Sequence, residues 1–178
     1  KLINNLIKLS EDEKVSTIIK VRAHDEDNRE LFFITKKGIV KKTEARLFFH
    51  INKNGIRALT LKGEDELTYV GLTSGTKKNE VFIATRAGFA IRFSEEDVRS
   101  MGRTAAGVKG INLRKDDFVV SAAIVNPETD LDKLSVLTIT DEGYGKRTSL
   151  KEYKVQTRGG KGIINLKVND KTGKIVDV

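Results

Sequence analysis

The sequence predicts an all-β, propeller-like fold made of repeated four-stranded blades. One hairpin pattern occurs three times: an apolar strand, a turn glycine and a second strand with basic residues near its end. A glycine-rich landmark follows each hairpin, and its copies are evenly spaced. Because both patterns keep a period of about 50 residues, they indicate a repeat architecture in which each unit packs against its neighbours.

The hairpins set the period of the repeat. Their turn glycines, Gly38, Gly88 and Gly143, are separated by 50 and 55 residues. Glycine suits such turns because it adopts positive φ without steric cost. The β-branched and aromatic residues on either side favour strands. The three predicted hairpins are Leu31–Thr43, Val81–Phe93 and Val136–Thr148.

The glycine-rich landmark keeps an interval of 52 residues between its copies, Gly55–Ala58, Gly107–Gly110 and Gly159–Gly162. An acidic turn and a further apolar strand follow the landmark, and the same kind of strand also precedes the first hairpin. Each unit therefore holds about four short strands, enough for one blade. These additional strands are predicted at Val15–Val21, Leu67–Leu72 and Phe118–Val125.

A short helix is predicted after the second and third hairpins, at Ser94–Asp97 and Ser149–Glu152. A serine hydroxyl can cap the first turn, and a carboxylate three residues later can return the hydrogen bond. The corresponding segment of the first unit, Thr43–Arg46, fits this pattern less well.

The whole chain, residues 1–178, is predicted to be a fragment of a single domain. Its blade units run approximately over 15–62, 66–114 and 118–167, and Asn165 to Val178 begin a partial further unit. The chain does not begin with methionine, so we expect it to be excised from a longer protein. An open arc of three to four blades exposes two blade faces, which a partner or further blades of the parent would cover.

Composition excludes several classes of protein. The chain has 178 residues, 38% hydrophobic and 33% charged, which suits a soluble globular domain. No stretch is apolar enough to span a bilayer, and no signal peptide is evident, so we expect no membrane partner. Because the chain has no cysteine, it can form neither disulfides nor thiolate metal sites, and we predict a cytoplasmic location.

The charges are segregated along each unit. The net charge is +8, and the basic residues gather around the second hairpin strand and the landmark, whereas acidic residues gather at turns between units. A ring would bring the basic parts to one rim, as a curved track for a polyanion. Ordinary solvated lysines are the alternative. The residues predicted as rim contacts with double-stranded DNA are Lys41, Lys42, Arg92, Lys146 and Arg147.

Double-stranded DNA on such a track would be bound mainly through its phosphates, with little base preference and a steep dependence on salt. Bending a stretch of 20 to 30 base pairs costs about 1 to 6 kcal/mol, which several phosphate contacts can offset. Wrapping of DNA is therefore energetically feasible.

The most specific string in the chain is Gln156–Gly162, which reads Gln-Thr-Arg-Gly-Gly-Lys-Gly. Its glycines allow positive φ and a close approach of the backbone to a phosphate. The side chains of Arg158 and Lys161 add charge, and that of Gln156 adds a neutral hydrogen-bonding group. The alternative interpretation is a glycine-rich turn. The predicted DNA-binding residues of this box are Gln156, Arg158, Gly159, Gly160, Lys161 and Gly162.

The box resembles the hallmark Gln-Arg-Arg-Gly-Gly-Lys-Gly of the C-terminal domain of the DNA gyrase A protein, and Arg92–Arg99, Met101–Ile111 and Glu142–Thr148 resemble the blade signatures of that family. The likeness covers nearly the whole chain. Two departures are Thr157, where the family usually has arginine, and the position of the box after at least two blades rather than in the first.

The resemblance implies a β-pinwheel, usually of six blades that exchange strands with their neighbours. It implies right-handed wrapping of DNA around a basic rim, which serves ATP-dependent negative supercoiling by a type IIA topoisomerase. The partners would be the rest of the gyrase A protein and the gyrase B protein, in a nucleoid-associated bacterial complex whose ATP and Mg²⁺ are bound outside this fragment. The C-terminal domain of the corresponding A protein of topoisomerase IV is the alternative.

No catalytic constellation is recognisable, so we predict no enzyme activity, cofactor or metal in this fragment. The tyrosines Tyr69, Tyr144 and Tyr153 lie in or beside repeated strands, where packing is their expected use. The histidines His24 and His50 lack partners at ligand spacing. A propeller-like adaptor that binds proteins is a further alternative, but aromatic residues make up only 6% of the chain.

Overall fold

The computed structural model describes residues 9, 13–21, 28–50, 55–76, 78–126 and 128–178. Within these ranges the regular structure consists of short β-strands and three single-turn 3₁₀ helices, which confirms the all-β prediction. The strands are β1 (Glu30–Thr35), β2 (Ile39–Glu44), β3 (Leu67–Leu72), β4 (Glu80–Thr85), β5 (Phe89–Ser94), β6 (Val108–Lys109), β7 (Val119–Val125), β8 (Ser135–Thr140), β9 (Gly145–Ser149), β10 (Ile163–Ile164) and β11 (Ile175–Asp177). The 3₁₀ helices are η1 (Ala45–Phe48), η2 (Glu95–Asp97) and η3 (Leu150–Glu152).

The predicted hairpins are present as β1–β2, β4–β5 and β8–β9, all antiparallel. Each turn has its glycine at positive φ, at 76° in Gly38, 93° in Gly88 and 76° in Gly143. A threonine ends the first strand of each hairpin, and its hydroxyl accepts a hydrogen bond from the first amide after the turn. The same local chemistry therefore builds all three turns.

The strands form three sheets that share strands between neighbouring units. The first sheet has the order β3-β1-β2-β6, the second β10-β5-β4-β7, and the third β11-β8-β9. The edge strands β6 and β10 each come from the segment after the next hairpin, so every unit completes the sheet of the unit before it. Within the described residues β9 has no such partner, and its outer edge is open.

The two edges of each sheet face different parts of the molecule. The strand β7 lies beside both β3 and β11, so these three strands from successive sheets are neighbours. Units arranged around an axis approach each other most closely near that axis, and these strands therefore form the inner side. The opposite edges, which carry β6 and β10, form the outer side.

Apolar side chains fill the spaces between sheets. Phe32 and Ile34 of the first sheet pack with Ile83 and other residues of the second, and all three are fully buried. Between the second and third sheets, the ring of Phe82 packs edge-on against Tyr153, with centroids 5.0 Å apart. Each such side chain contributes about 1.5–3 kcal/mol when buried, so neighbouring units stabilise each other.

The predicted short helices and their serine caps are confirmed. The hydroxyls of Ser94 and Ser149 accept hydrogen bonds from the amides two residues later, at the N-termini of η2 and η3. The helix η1 has no side-chain cap, in agreement with its weaker sequence signal.

The structure corrects three details of the predicted repeat. Val15–Val21, predicted as a strand, forms no strand. The predicted unit 66–114 groups Leu67–Leu72 with the hairpin that follows, whereas β3 pairs with β1 of the hairpin before. The predicted register matches Gly107 with Gly159, whereas Gly162 occupies the position of Gly107, 55 residues on. The sequence pattern follows glycine identity, but the fold requires the glycine that approaches a neighbouring backbone.

That close approach is visible at both glycines. A Cβ on Gly107 would lie 2.5 Å from the carbonyl oxygen of Val40, and a Cβ on Gly162 would lie 2.5 Å from that of Ala90. Both residues have positive φ. Glycine is therefore required where each box enters the sheet of the preceding unit.

Candidate nucleic-acid interface

Two of the predicted rim contacts, Lys42 and Arg92, are buried between units. Lys42 forms an ion pair with Glu30 at 3.1 Å and is 4% exposed, and Arg92 forms an ion pair with Glu80 and is also 4% exposed. A buried, paired cation cannot reach a phosphate without the loss of its partners. The interpretation of Lys42 and Arg92 as rim contacts is therefore wrong; these side chains join neighbouring sheets.

The prediction of Lys41 as a rim contact is also wrong, because the Lys41 side chain is completely buried. Its ammonium donates hydrogen bonds to the carbonyl oxygens of Ala58, at 2.5 Å, and Arg103. Burial, assisted by the nearby charge of Arg103, lowers the pKa of Lys41 from 10.5 to about 8. Lys41 therefore joins the second strand of the hairpin to the landmark of its own unit and to the segment just before the landmark of the next unit.

The two remaining predicted contacts, Lys146 and Arg147, are exposed on β9. Their repeat equivalents are buried because the next unit covers the first and second sheets, whereas the described residues contain no unit that covers the third. Lys146 makes a long hydrogen bond, 3.5 Å, to the carbonyl oxygen of Asn165. A contact of Lys146 and Arg147 with DNA stays a prediction.

The box Gln156–Gly162 runs along the outer side as a joint between units. The amide of Gly159 donates to the carbonyl oxygen of Gly110 at 2.6 Å, and the carbonyl oxygen of Gly160 accepts from the amide of Asn112 at 2.8 Å. These bonds fix the third unit on the landmark of the second. The amides of Gly160 and Lys161 donate to no acceptor within the described residues, so both can donate hydrogen bonds to an anion.

Arg158 fastens the box to the preceding unit. Its Nε donates to the carbonyl oxygen of Asp97 at 2.7 Å, its Nη1 donates to that of Lys109 at 3.0 Å, and its amide donates to the Asp97 carboxylate. Three of its donors are therefore used inside the protein. The amide of Gln156 in the same box donates to the carbonyl oxygen of Arg92 at 2.7 Å.

A group of cations surrounds this joint, and we call it the second basic cluster: Lys109, Arg114, Arg158 and Lys161. Lys109, Arg114 and Lys161 are exposed, and Arg158 is half-buried. The guanidinium of Arg114 donates to the carbonyl oxygen of Lys161 at 3.0 Å and stacks on the ring of Phe89. The stacking holds the Arg114 side chain on the outer side, where a polyanion can reach it.

The same positions of the preceding unit hold a first basic cluster: Arg57, Lys62 and Arg103. Arg57 and Lys62 precede Lys109 and Arg114 by 52 residues, and Arg103 precedes Arg158 by 55. The hydroxyl of Thr60 donates to the carbonyl oxygen of Thr104 at 2.6 Å, which joins the two segments that carry the cluster. The outer side therefore has two basic clusters in succession.

The sequence interpretation missed five of these residues: Arg103 and the two repeat pairs Arg57 with Lys109 and Lys62 with Arg114. A signal was present, because a basic residue recurs at both positions with the landmark interval of 52 residues. The predicted contacts were instead placed on the hairpin strands. The alternation of side chains along a strand does not show which face a neighbouring sheet will cover.

The hairpin turn of the third unit differs in charge from that of the first. It carries Asp141 and Glu142 where the first turn carries Lys36 and Lys37. The amide of Lys174 and the guanidinium of Arg86 hold the pKa of Asp141 below its usual range. The hairpin turn of the third unit is therefore acidic where that of the first unit is basic.

Other candidate chemistry is sparse. Within the described ranges, no group of three or more His, Asp or Glu side chains is arranged to hold a metal ion. His50 is exposed, and His24 lies outside the described residues. Tyr153 is buried, with its hydroxyl donating to Asn165 at 2.5 Å, so packing explains this tyrosine. None of the helices in the described part of the chain is long and apolar enough to cross a bilayer.

Comparison with known families decides the relationship. The family model of the DNA gyrase C-terminal domain, a β-propeller, matches residues 4–22, 29–74, 79–126 and 134–178. The chain belongs to the DNA gyrase C-terminal domain family. The predicted resemblance is thereby confirmed, and the match extends over all the sheets of the structure.

Two relatives of this family illustrate the degree of similarity. The DNA gyrase A protein of Lawsonia intracellularis is 47% identical over 174 residues, which are 98% of this chain and 21% of the relative. The DNA gyrase A protein of Staphylococcus epidermidis strain ATCC 12228 is 44% identical over 174 residues, 98% of this chain and 19% of the relative. The chain thus spans about a fifth of the curated relatives that it matches.

Solved structures of the family share the fold. The crystal structure of the C-terminal domain of DNA topoisomerase IV superposes with a TM-score of 0.86 at 31% identity, over 98% of this chain and 52% of the other. A DNA gyrase A C-terminal domain gives a TM-score of 0.81 at 26% identity, over 98% of this chain and 56% of the other. The pinwheel prediction is confirmed, and the chain corresponds to about half of such a domain.

Proposed function

We propose that this chain binds double-stranded DNA without sequence preference and bends it around its outer side. The observation that carries the proposal is the pair of basic clusters, which occupy equivalent positions on successive units. Two of their cations, Arg114 and Arg158, are held at the outer side by hydrogen bonds to main-chain carbonyl oxygens. A duplex that contacts both clusters has to follow the arc of the units.

The physical basis is neutralisation of phosphates. Each contact releases condensed counterions, so binding strengthens at low salt, and the free amides of Gly160 and Lys161 add hydrogen bonds to phosphate oxygens. The bend costs about 1 to 6 kcal/mol over 20 to 30 base pairs, which the combined contacts of two clusters can offset.

Within a longer protein, we propose that right-handed wrapping by this domain serves negative supercoiling by DNA gyrase, together with the rest of the gyrase A protein and with the gyrase B protein. The curated relatives named above are gyrase A proteins, which favours gyrase over topoisomerase IV. Cleavage of DNA, and the binding of ATP and Mg²⁺, would belong to other parts of that complex. The absence of enzyme activity in this chain and its cytoplasmic location stay predictions.

The second basic cluster is tested by the triple substitution K109A/R114A/K161A. Each phosphate contact contributes about −0.9 to the slope of log affinity against log salt concentration. We expect the variant to flatten that slope by about 2 to 3 and to weaken binding equally for unrelated duplexes. Fluorescence anisotropy with duplexes of about 30 base pairs measures both quantities.

The matched control is K78A/K133A/K171A, which removes three exposed lysines outside both clusters. This variant changes the net charge by the same amount, so we expect a slope close to that of the wild type. Equal losses in the two triple variants would show that net charge, and not the cluster, governs binding, and would contradict the proposal.

A further inference from the structure

Arg92 forms several hydrogen bonds with the next unit of the chain. Its Nη1 donates to the carbonyl oxygens of Leu150, at 3.0 Å, and Tyr153, at 3.1 Å, both in or beside η3. Its Nε donates to the Glu80 carboxylate of its own sheet at 2.5 Å. Its carbonyl oxygen accepts the amide of Gln156 at 2.7 Å. One residue thus holds the chain over 150–156, from η3 to the start of the box.

The segment 150–156, which Arg92 holds, leads directly into the second basic cluster. Arg158 follows Gln156 by two residues and Lys161 by five. We propose that Arg92 is a positioning residue for DNA binding, which sets the place of Arg158 and Lys161 relative to Lys109 and Arg114. This inference rests on the proposed function, because its effect on DNA passes through the cluster.

The chemistry of Arg92 suits this role. A buried guanidinium is stable only when its donors are satisfied, and its planar fork binds a carboxylate and carbonyl oxygens at the same time. Glu80 anchors the fork from the side of the second sheet. The orientation of the Arg92 Nη1 donors is then fixed. The carbonyl oxygens of Leu150 and Tyr153 must take up one position to accept from them.

The first sheet contains an internal precedent. Lys42 takes the position of Arg92 and pairs with Glu30 at 3.1 Å, while its ammonium donates to the carbonyl oxygen of Glu95 in η2 at 3.3 Å. Its own carbonyl oxygen accepts the amide of Met101 at 2.8 Å. A lysine therefore satisfies the same junction with fewer bonds, which predicts that R92K retains the function.

The test compares R92M and R92K in the wild-type chain and R92M in an R158A/K161A background. Affinity for a mixed-sequence duplex of about 30 base pairs is measured by anisotropy at about 0.1 M salt. We expect R92M to lose about tenfold, comparable with one lost phosphate contact. We expect R92K to stay within about twofold of the wild type, and R92M to cause less than about a twofold further loss in the R158A/K161A background.

Amide hydrogen exchange supplies a local readout. The amides of Gln156 and Gly159 should exchange faster in R92M and at nearly the wild-type rate in R92K. If R92M does not fold, E80Q takes its place, because it loosens the anchor of Arg92 without changing the cluster. Faster exchange of those two amides and weaker DNA binding in E80Q would support the inference, and unchanged values of both would overturn it.

The outcomes separate this inference from the proposed function. If the wild-type chain shows no salt-dependent DNA binding, the proposed function fails. If the wild type binds and R158A/K161A is weaker, but folded R92M binds like the wild type, only the role of Arg92 fails. A loss in R92M that is equally large with and without R158A/K161A would also overturn that role, since it would show an effect that does not pass through the box.

Discussion

Single residues show that the same type of side chain serves opposite purposes in this chain. Lys41, Lys42 and Arg92 lie inside the junctions between sheets, whereas Lys109, Arg114 and Lys161 are exposed on the outer side. The difference arises from what covers each residue, and a sequence shows only its own strand. A buried cation should therefore affect folding or the placement of neighbouring segments, and an exposed one should affect binding directly.

Lys41 provides a test of burial through pH. Its pKa is lowered to about 8 in the folded protein by burial, against 10.5 when unfolded, so between these values the unfolded chain binds more protons. The contribution of Lys41 to the free energy of unfolding therefore increases as pH rises from about 8 toward 10.5. Urea unfolding across this range should show the increase in the wild type and lose it in K41M.

The control for this experiment is K37M, which removes an exposed lysine from the same hairpin. Its stability should follow the wild-type pH dependence. Burial also raises the pKa values of Tyr69 and Tyr153, but that contribution is common to all three proteins. Parallel curves for the wild type and K41M would contradict the assigned environment of Lys41.

At the scale of elements, the three hairpins are alike in sequence but differ in their surroundings. A Cβ on Gly88 would overlap the carbonyl oxygen of Leu166, whereas a Cβ on Gly143 would meet nothing within 4 Å. Phe82 is 2% exposed, and its repeat equivalent Leu137 is 52% exposed. The face of the third sheet is open at the positions that the next unit covers in the first two sheets.

This contrast predicts different costs for equivalent substitutions. F82A empties a site between the second and third sheets and should lower the free energy of unfolding by about 3–5 kcal/mol. L137A removes an exposed side chain and should change it by about 0.5 kcal/mol or less. Urea denaturation of both variants checks the difference, and a similar large loss in both would show that the third face is covered in solution.

The open face also bears on the adaptor alternative. Leu137 and Ile139 lie on one face of β8 and are 52% and 40% exposed, so this face carries apolar side chains of the kind that bind proteins. Their equivalents in the first two units, however, pack against the next unit. The structure therefore favours a junction between blades as the use of this surface.

For the whole molecule, the sequence was sufficient for the repeat, the hairpins, their turn glycines and the family. Those features depend on local chemistry, such as the positive φ of Gly38 and the serine cap of η2. The exchange of β6 and β10 between sheets depends on distant contacts, so the register of the box was displaced from Gly162 to Gly159. The same limitation explains the wrong assignment of Lys41, Lys42 and Arg92 to the rim.

The central claim is that DNA follows the outer side of successive units through the two basic clusters. Religation of a nicked plasmid in the presence of the chain measures this directly, because right-handed wrapping traps a positive change in linking number. We expect a positive change with the wild type and a much smaller one with K109A/R114A/K161A. A linking number that the wild type leaves unchanged, or a shift that the triple variant fully retains, would contradict the account.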